Sequence, residues 1–180
     1  MFSLLSLMDV DRISQLLNDR DILRNLKSLN YPYERQDAVT FVNQVRRQKE
    51  SLPAMDGLKA AGKAVWALRI ERQLVGVLGF RPGVGAEHGD FTLGYWLGRE
   101  YWGRGLATQA VSQACRWAFD SAGARRISAH VFSWNPASAR VLEKTGFQRE
   151  GTKRRAIVRF GEVADLWNYG LLAADFASRD

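Results

Sequence analysis

Two glycines, Gly103 and Gly105, are the residues whose spacing most directly suggests chemistry. They lie in the string YWLGREYWGRGLATQA, where a predicted strand passes through a short turn into a predicted helix. The first amides of a helix have no partner within it, and glycines let the backbone curl so that several of them converge on one phosphate. Each charge-assisted hydrogen bond is worth about 1.5–3 kcal/mol, so three or four could hold a pyrophosphate without a metal. Arg99 and Arg104 would add positive charge.

Other interpretations of this turn are a purely steric role for the glycines and two better-known nucleotide motifs. A tight strand-to-helix turn needs glycine for its backbone angles alone. Gly98 and Gly103 have the glycine spacing of a P-loop, but Arg104 and Gly105 stand where its lysine and hydroxyl residue belong. A Rossmann fingerprint would need glycine or alanine where Thr108 stands. The string therefore excludes an NTPase and a Rossmann dehydrogenase.

A second string, NPASARVLEKTGF, has the signals of a short helix. Asn135 is a good N-cap, Pro136 suits the first helical position, and Gly146 suits the position just past the end. Ser138 falls in the first turn. The string predicts a helix over residues 136–146.

Together the two strings resemble the GNAT superfamily of N-acetyltransferases. In that family a segment usually written Gln/Arg-x-x-Gly-x-Gly/Ala wraps the pyrophosphate of acetyl-CoA, and here it runs from Glu100 to Gly105, departing at its first position. NPASARVLEKTGF is similar to the family's second signature, most like the RimJ/RimL-type branch of ribosomal-protein N-terminal acetyltransferases. The likeness spans residues 64–172.

The resemblance implies an α+β fold, in which a mixed, largely antiparallel sheet of six or seven strands is flanked by about four helices. The sheet would be split between the fourth and fifth strands, here FTLGYWL and RISAHVF, to admit the pantetheine arm. Acetyl-CoA would be the cosubstrate, with no metal, and backbone groups near Trp96 and Leu97 would polarise the thioester carbonyl. The implied cofactor-binding residues are Trp96, Leu97, Arg99, Gly103, Arg104, Gly105, Leu106, Ala107, Thr108 and Asn135.

The resemblance also implies direct attack of an amine on the thioester, with no covalent enzyme intermediate. Asn135 and Ser138 are the catalytic candidates: the first would contact pantetheine, and the second would protonate the departing CoA thiolate. Each has a structural alternative, since Asn135 can simply cap its helix and a first-turn serine ordinarily bonds the backbone. Leu142 stands where many members have a tyrosine acid.

The general base is left open by the sequence. Thr92 stands where related proteins often have a glutamate. For His130, on a predicted central strand, a satisfied core imidazole is favoured over catalysis. The other side chains that can accept a proton include several expected to be exposed; the candidates are Glu87, His88, Asp90, His130, Glu162 and Asp165.

Free energies of deprotonation favour an α-amine as the acceptor. At pH 7 an α-amine costs about 1 kcal/mol to deprotonate and a lysine about 4.6, which suits a site without a clear carboxylate base. We therefore expect the N-terminus of a protein, such as a ribosomal protein. The alternatives are a small-molecule amine (polyamine, amino acid or antibiotic), a non-catalytic acyl-CoA-binding sensor, and an RNA-associated module with a degenerate site.

Hydrophobic periodicity supplies the elements that must position these residues. It predicts helices over 9–19, 35–50, 106–122 and 136–146, and strands over 64–71, 74–82, 91–97, 125–132, 147–158 and 162–172. Residues 72 and 73 would join the first two strands as a hairpin, and residues 51–63 read as a loop and the one plausible linker.

Composition bounds the remaining possibilities. A chain of 180 residues that is 46% hydrophobic can form one domain over residues 1–180. A net charge of +7 suits an anionic cofactor and a ribosomal surface. One cysteine and two histidines give no metal-ligand spacing, and no apolar run suits a membrane. We expect a cytoplasmic protein that contacts nucleic acid only through a ribosomal substrate, with a homodimer as one possibility.

Overall fold

The computed structural model describes residues 1–50, 64–84 and 87–177 of the chain. The predicted linker at 51–63 therefore lies outside the described residues. The described part contains six helices: α1 (Val10–Leu17), α2 (Arg20–Leu23), α3 (Arg35–Glu50), α4 (Leu106–Asp120), α5 (Pro136–Lys144) and α6 (Ala173–Ala177). None of these helices has the length and apolarity that a membrane crossing requires.

Seven strands form one mixed sheet in the order β1-β2-β3-β4-β5-β7-β6. They are β1 (Phe2–Ser3), β2 (Ala64–Ile70), β3 (Gln73–Pro82), β4 (Asp90–Leu97), β5 (Arg126–Phe132), β6 (Gln148–Arg159) and β7 (Glu162–Leu172). The β1/β2, β2/β3, β5/β7 and β6/β7 pairs are antiparallel, whereas β4 and β5 are parallel. The predicted α+β class is confirmed, with six helices where about four were expected.

The parallel pair at the centre of the sheet is short. Its register joins Asp90–Leu93 of β4 to 126–129 of β5 and ends at the Leu93–Ala129 pair. Both strands continue beyond that pair, to Leu97 and Phe132. The split between the fourth and fifth strands stays a prediction.

By packing, the chain divides into two compact units. The first comprises Met1–Phe80 and Tyr95–Leu106, and the second comprises Arg81–Gly94 and Ala107–Asp180. Each unit is described by itself below. That residues 1–180 act as a single domain stays a prediction.

In the first unit, periodicity predicted α1 and the β2/β3 hairpin with small differences in their bounds. The α1 stripe is buried, with Val10, Ile13 and Leu17 at 2% exposure or less. The hairpin turn differs by one residue, because Ile70 pairs with Gln73 and the loop is Glu71 and Arg72. Both loop residues have positive φ, 47° and 69°, as a two-residue hairpin turn of the I′ kind requires.

In the second unit, the small-residue face of α4 and one face of β5 form the core. Ala110, Ala114 and Cys115 are buried on α4, and burial raises the pKa of the Cys115 thiol to about 12. On β5, Ile127 and Ala129 are buried, whereas Arg126 and Ser128 are half-buried and His130 is exposed; Phe132, at the end of the strand, is buried. The cysteine is therefore an inert packing residue, and the face of β5 that carries His130 is covered only in part.

Candidate active site

The turn that leads from β4 into α4 is anchored by backbone hydrogen bonds. After Leu97, the Gly98 N–H donates to the Val75 carbonyl at 2.9 Å, and a single 3-10 turn over Arg99–Tyr101 follows. The Tyr101 side chain is buried beneath this turn. The chain is thus held firmly up to the residue that precedes the two glycines.

Gly103 and Gly105 both adopt the left-handed backbone conformation. Their φ angles are +72° and +74°, which cost a residue with a side chain about 1–2 kcal/mol. Apart from the glycine itself and its two chain neighbours, no described residue has an atom within 4 Å of the place where a Cβ would stand on either glycine. The glycines are therefore required by backbone geometry, and the space beside them is open. Leu106, directly after them, begins α4.

The Leu97 carbonyl is occupied within this turn. The indole Nε1 of Trp102 donates to it at 2.9 Å, and 44% of the Trp102 residue is exposed. Gly76 lies so close to the Trp96 backbone that a Cβ on Gly76 would collide with the Trp96 carbonyl oxygen. The segment predicted to pair with pantetheine is thus packed against Gly76 without room for a side chain there.

The two arginines of the motif have different surroundings. Arg99 forms an ion pair with Asp21 at 2.5 Å, and the Asp19 carboxylate lies 4.0 Å from the same guanidinium nitrogen. Arg104 places its guanidinium carbon 5.9 Å from the centre of the Tyr101 ring. Because two carboxylates flank Arg99, its positive charge is partly offset. Arg104 lies between Gly103 and Gly105 in the sequence.

Glu100, the position that departs from the family pattern, is paired with Arg12 of α1. The Arg12 Nη2 atom lies 2.6 Å from a Glu100 carboxylate oxygen and also donates to the Tyr101 hydroxyl at 3.0 Å. The Arg12 Nε atom donates to the Leu74 carbonyl at 3.3 Å. One arginine therefore joins α1, β3 and the 3-10 turn, a role that no sequence pattern indicated.

Asn135 and Ser138 lie together at the start of α5, in the second unit. The Asn135 side-chain oxygen accepts from the Ser138 backbone N–H at 3.2 Å, and Pro136 occupies the first turn. The predicted cap is confirmed. Leu142 is 1% exposed and packs in the core. It takes the position at which many members of the family have a tyrosine.

His130 is exposed, so the interpretation favoured from the sequence, a core imidazole, is wrong. Its neighbours Ala129 and Val131 face the core, and His130 takes the opposite face of β5. Its Nδ1 atom lies 3.0 Å from Oδ1 of Asn168 on the adjacent strand β7. Alternation located the two faces of β5 correctly but could not tell which face is covered.

The other base candidates also belong to the second unit. Asp165 accepts from the Arg155 backbone N–H at 2.8 Å, and Asp90 lies 3.7 Å from the guanidinium of Arg125. Glu87, His88 and Glu162 are exposed. Thr92 is half-buried in β4. In the described part of the chain, no group of three or more His, Cys, Asp or Glu side chains is arranged to hold a metal ion.

Comparison with known proteins supplies the family. Residues 1–148 match the family described as an acetyltransferase (GNAT) domain. The chain is 26% identical over 176 residues to the uncharacterized N-acetyltransferase p20 of Bacillus licheniformis, which covers 96% of this chain and 92% of that protein. Over 95 residues it is 28% identical to the ribosomal protein uS5-alanine N-acetyltransferase of Escherichia coli, covering 53% of this chain and 49% of that protein.

A solved structure extends the likeness to the whole fold. The spermidine N-acetyltransferase from Vibrio cholerae, in complex with CoA and spermine, matches with a TM-score of 0.79 at 18% identity, covering 98% of this chain and 97% of that one. The fold and the family match define a protein of the acyltransferase class. The chain belongs to the GNAT acetyltransferase family, and it is an N-acetyltransferase that uses acetyl-CoA.

Proposed function

We propose that the acceptor is the N-terminal α-amine of a protein, such as a ribosomal protein, and that the chain belongs to the RimJ/RimL-type branch. One observation carries this proposal: Thr92 is half-buried in β4, and by the family resemblance it takes the place where related proteins often have a glutamate base. An α-amine costs about 1 kcal/mol to deprotonate at pH 7, against about 4.6 for a lysine. An enzyme without that carboxylate is therefore best matched to the less basic amine.

The relative that acts on ribosomal protein uS5 supports the same acceptor class. The 28% identity to that enzyme covers about half of each chain, 53% and 49%. The likeness to the spermidine enzyme, at 18% identity, shows the fold alone. The net charge of +7 also disfavours a polycationic acceptor, since a cationic protein repels it over long range.

Acetyl-CoA would be held mainly by main-chain groups. In this proposal the amides from Arg104 through Thr108, including Leu106 and Ala107, bind the pyrophosphate, because Gly103 and Gly105 curl the backbone beside open space. Arg99 and Arg104 add positive charge. Backbone groups of Trp96 and Leu97 pair with the pantetheine arm, and the Leu97 carbonyl also accepts from the Trp102 indole.

Asn135 and Ser138 complete the proposed machinery. Asn135 caps α5 with its oxygen, which leaves its amide N–H₂ to donate to pantetheine. Ser138 would give a proton to the CoA thiolate as it departs. The loss of the tyrosine acid at Leu142 is tolerable, since a thiol with an ordinary pKa of about 8.5 is a fair leaving group near neutral pH. A cytoplasmic location and a homodimer stay predictions.

Release of free CoA thiol tests the acceptor. Acetyl-CoA would be supplied with peptides that begin with Ala, Ser or Met, with the same peptides acetylated at the N-terminus but carrying a free lysine, and with spermidine. We expect turnover only with free N-termini. Turnover with spermidine and none with peptides would support a small-molecule enzyme instead. Binding of acetyl-CoA in calorimetry without turnover of any amine would support a sensor.

A further inference from the structure

We propose that β6, the outermost strand of the sheet, binds the phosphate backbone of single-stranded RNA. The surface consists of four exposed cations of that strand, Arg149, Lys153, Arg154 and Arg155, and is called the β6 basic surface below. The inference rests on the proposed function, since a ribosomal protein lies beside RNA in the ribosome. It adds a binding site that uses none of the residues proposed to hold acetyl-CoA.

Three consecutive cations form the central run of this surface. Lys153, Arg154 and Arg155 are exposed, and none of their side chains pairs with an acidic group in the part of the chain that the structure describes. A nearby arginine of the same unit does have such a partner, since Arg126 Nη1 donates to Glu150 Oε1 at 2.7 Å. The central run therefore presents three positive charges that are available to an anionic partner.

A β-bulge sets the backbone of the central run. The register of β6 against β7 shifts between Lys153 and Ile157, so that residues 154–156 stand opposite Asp165 alone. Arg155 takes a φ of +49°, which residues with a side chain rarely adopt, and its backbone N–H donates to the Asp165 carboxylate at 2.8 Å. This carboxylate thus holds the backbone of the bulge. Strands use bulges to re-aim side chains near functional sites.

The position of β6 at the edge of the sheet offers a simpler reason for the bulge and for Lys153. β6 pairs with β7 on one side and ends the described sheet on the other, and natural proteins protect such edges with bulges and lysines. Edge protection needs only groups that keep other strands away. It gives no role to an arginine that is stacked on an aromatic ring, and such an arginine lies on the same strand.

Arg149 is the feature that favours RNA over an acidic protein. Its guanidinium carbon lies 4.3 Å from the centre of the Trp167 ring on β7, and its Nη2 atom donates to the Thr152 hydroxyl at 2.6 Å. Thr152 directly precedes Lys153, so the stacked guanidinium adjoins the central run. Unpaired RNA bases stack on arginine planes, whereas an acidic peptide needs only the charge. The exposed guanidinium can therefore take a base while the central run takes phosphates.

The chemistry of the side chains also suits phosphate. Two of the three residues of the central run are arginines, whose planar guanidinium matches phosphate oxygens in pairs. The net charge of +7 attracts a polyanion over long range. Each cation that contacts a single strand releases counterions, so the logarithm of the affinity falls by about 0.7 for each contact per tenfold rise in salt. Three contacts should therefore contribute about 2 to this salt slope.

Fluorescence anisotropy with a labelled single-stranded RNA of about 16 nucleotides tests the surface. In one variant each residue of the central run is replaced by Gln (K153Q, R154Q and R155Q). We expect its RNA affinity to fall about tenfold or more at about 50 mM salt, and its salt slope to decrease by about 2. Binding by the parent should persist when CoA is saturating, because the surface contains no residue of the proposed cofactor site.

A second triple variant is the matched control. It carries K27Q, R46Q and R81Q, three exposed cations outside β6, so both variants lose the same formal charge. Charges far from the bound RNA are screened, so the control should bind within about twofold of the parent. Urea unfolding and gel filtration check that both variants fold as monodisperse proteins.

Arg149→Lys tests the stacking part of the surface. It keeps the positive charge and removes the planar group. We expect its RNA affinity to fall about threefold, while its affinity for inorganic polyphosphate, which has no bases, stays that of the parent. An RNA affinity equal to that of the parent would overturn the assignment of the guanidinium to a base. Tighter binding of polyglutamate than of RNA by the parent would assign the surface to an acidic protein and overturn the inference.

Three further results would overturn the inference. Equal losses of RNA affinity in the two triple variants would show an effect of net charge alone. Self-association of the K153Q, R154Q and R155Q variant with unchanged RNA affinity would show that the run only protects the edge of the sheet. Loss of RNA binding under saturating CoA would show that RNA occupies the cofactor site.

The RNA assay and the peptide assay fail independently. A parent enzyme that acetylates free N-termini and binds no RNA would overturn the inference and leave the proposed acceptor intact. A parent enzyme that binds RNA through the β6 basic surface and acetylates no peptide would reject the proposed acceptor, while the RNA-binding surface would be supported.

Discussion

The guanidinium of Arg12 lies 2.6 Å from the carboxylate of Glu100, joining α1 to the first residue of the cofactor motif across 88 residues of sequence. Glu100 is the position where the family has glutamine or arginine. The acidic side chain at this position pairs with Arg12 of α1, and Arg12 also donates to the Tyr101 hydroxyl and to the Leu74 carbonyl. The departure from the motif is thus compensated within the first unit.

Removing Arg12 should cost more stability than removing the charge of Glu100. The Arg12 side chain is 20% exposed, and Arg12→Ala leaves the Leu74 carbonyl without this donor, so we expect a loss of about 1–3 kcal/mol in the free energy of unfolding. Glu100→Gln keeps an acceptor at a side chain that is 56% exposed, and should cost about 1 kcal/mol or less. Urea unfolding measures both. Equal losses would contradict the assignment of Arg12 as the central partner.

Gly103→Val and Gly105→Val should weaken acetyl-CoA binding about tenfold or more, since a branched residue cannot keep these positive φ angles and the amides must turn away. Gly161→Val is the matched control. It has the same kind of backbone, with φ +83° and open space around it, but lies in the β6/β7 turn. It should lose stability and keep its affinity. Calorimetry with CoA reports the binding, and Ser138→Ala should bind like the parent.

Asn135→Asp separates the two roles of Asn135. The carboxylate still accepts from the Ser138 N–H, so the free energy of unfolding should be nearly unchanged, while the amide donor proposed for pantetheine is lost. Asn135→Ala should lose both the cap, worth about 1 kcal/mol, and the affinity for acetyl-CoA. An Asn135→Asp variant with the parent's KM for acetyl-CoA would show that the residue only caps its helix.

The stability of the protein should fall at high pH, in part through Tyr169. Its hydroxyl donates to Glu143 at 2.9 Å, and burial, followed by this hydrogen bond, raises its pKa from 10.0 to about 12. Because the folded-state pKa is the higher one, the stabilisation is complete below pH 10 and is lost as the pH rises through about 12. Tyr169→Phe should flatten this decline. Unfolding free energies compared at pH 8 and 11 measure it, and an unchanged slope would contradict the assignment.

The sequence predicted those parts of the fold that rest on local signals. α3 and β7 have their predicted bounds, and Asn135 caps α5 as its sequence indicated. Short elements were missed, since α2 has four residues and β1 has two, too few to show a period. The hairpin loop was misplaced by one residue because Glu71 and Arg72, neither of them glycine, take positive φ.

Contacts between residues that are distant along the chain could not be predicted from the sequence, for a different reason. Nothing local links Arg12 to Glu100, and nothing local shows which face of β5 remains uncovered. Periodicity predicted that His130 and Ala129 lie on opposite faces of β5, but it did not indicate what packs against either face. The pairing of His130 with Asn168 depends on strand register, which is set across the sheet and not along the chain.

The hydrogen bond from the Trp102 indole to the Leu97 carbonyl gives the protein an intrinsic optical probe. The ring is partly in water and immediately precedes Gly103. Arrival of a diphosphate at the neighbouring amides would change the polarity around this fluorophore. Its emission should therefore shift on CoA binding, and a titration could be followed without a label or a coupled assay.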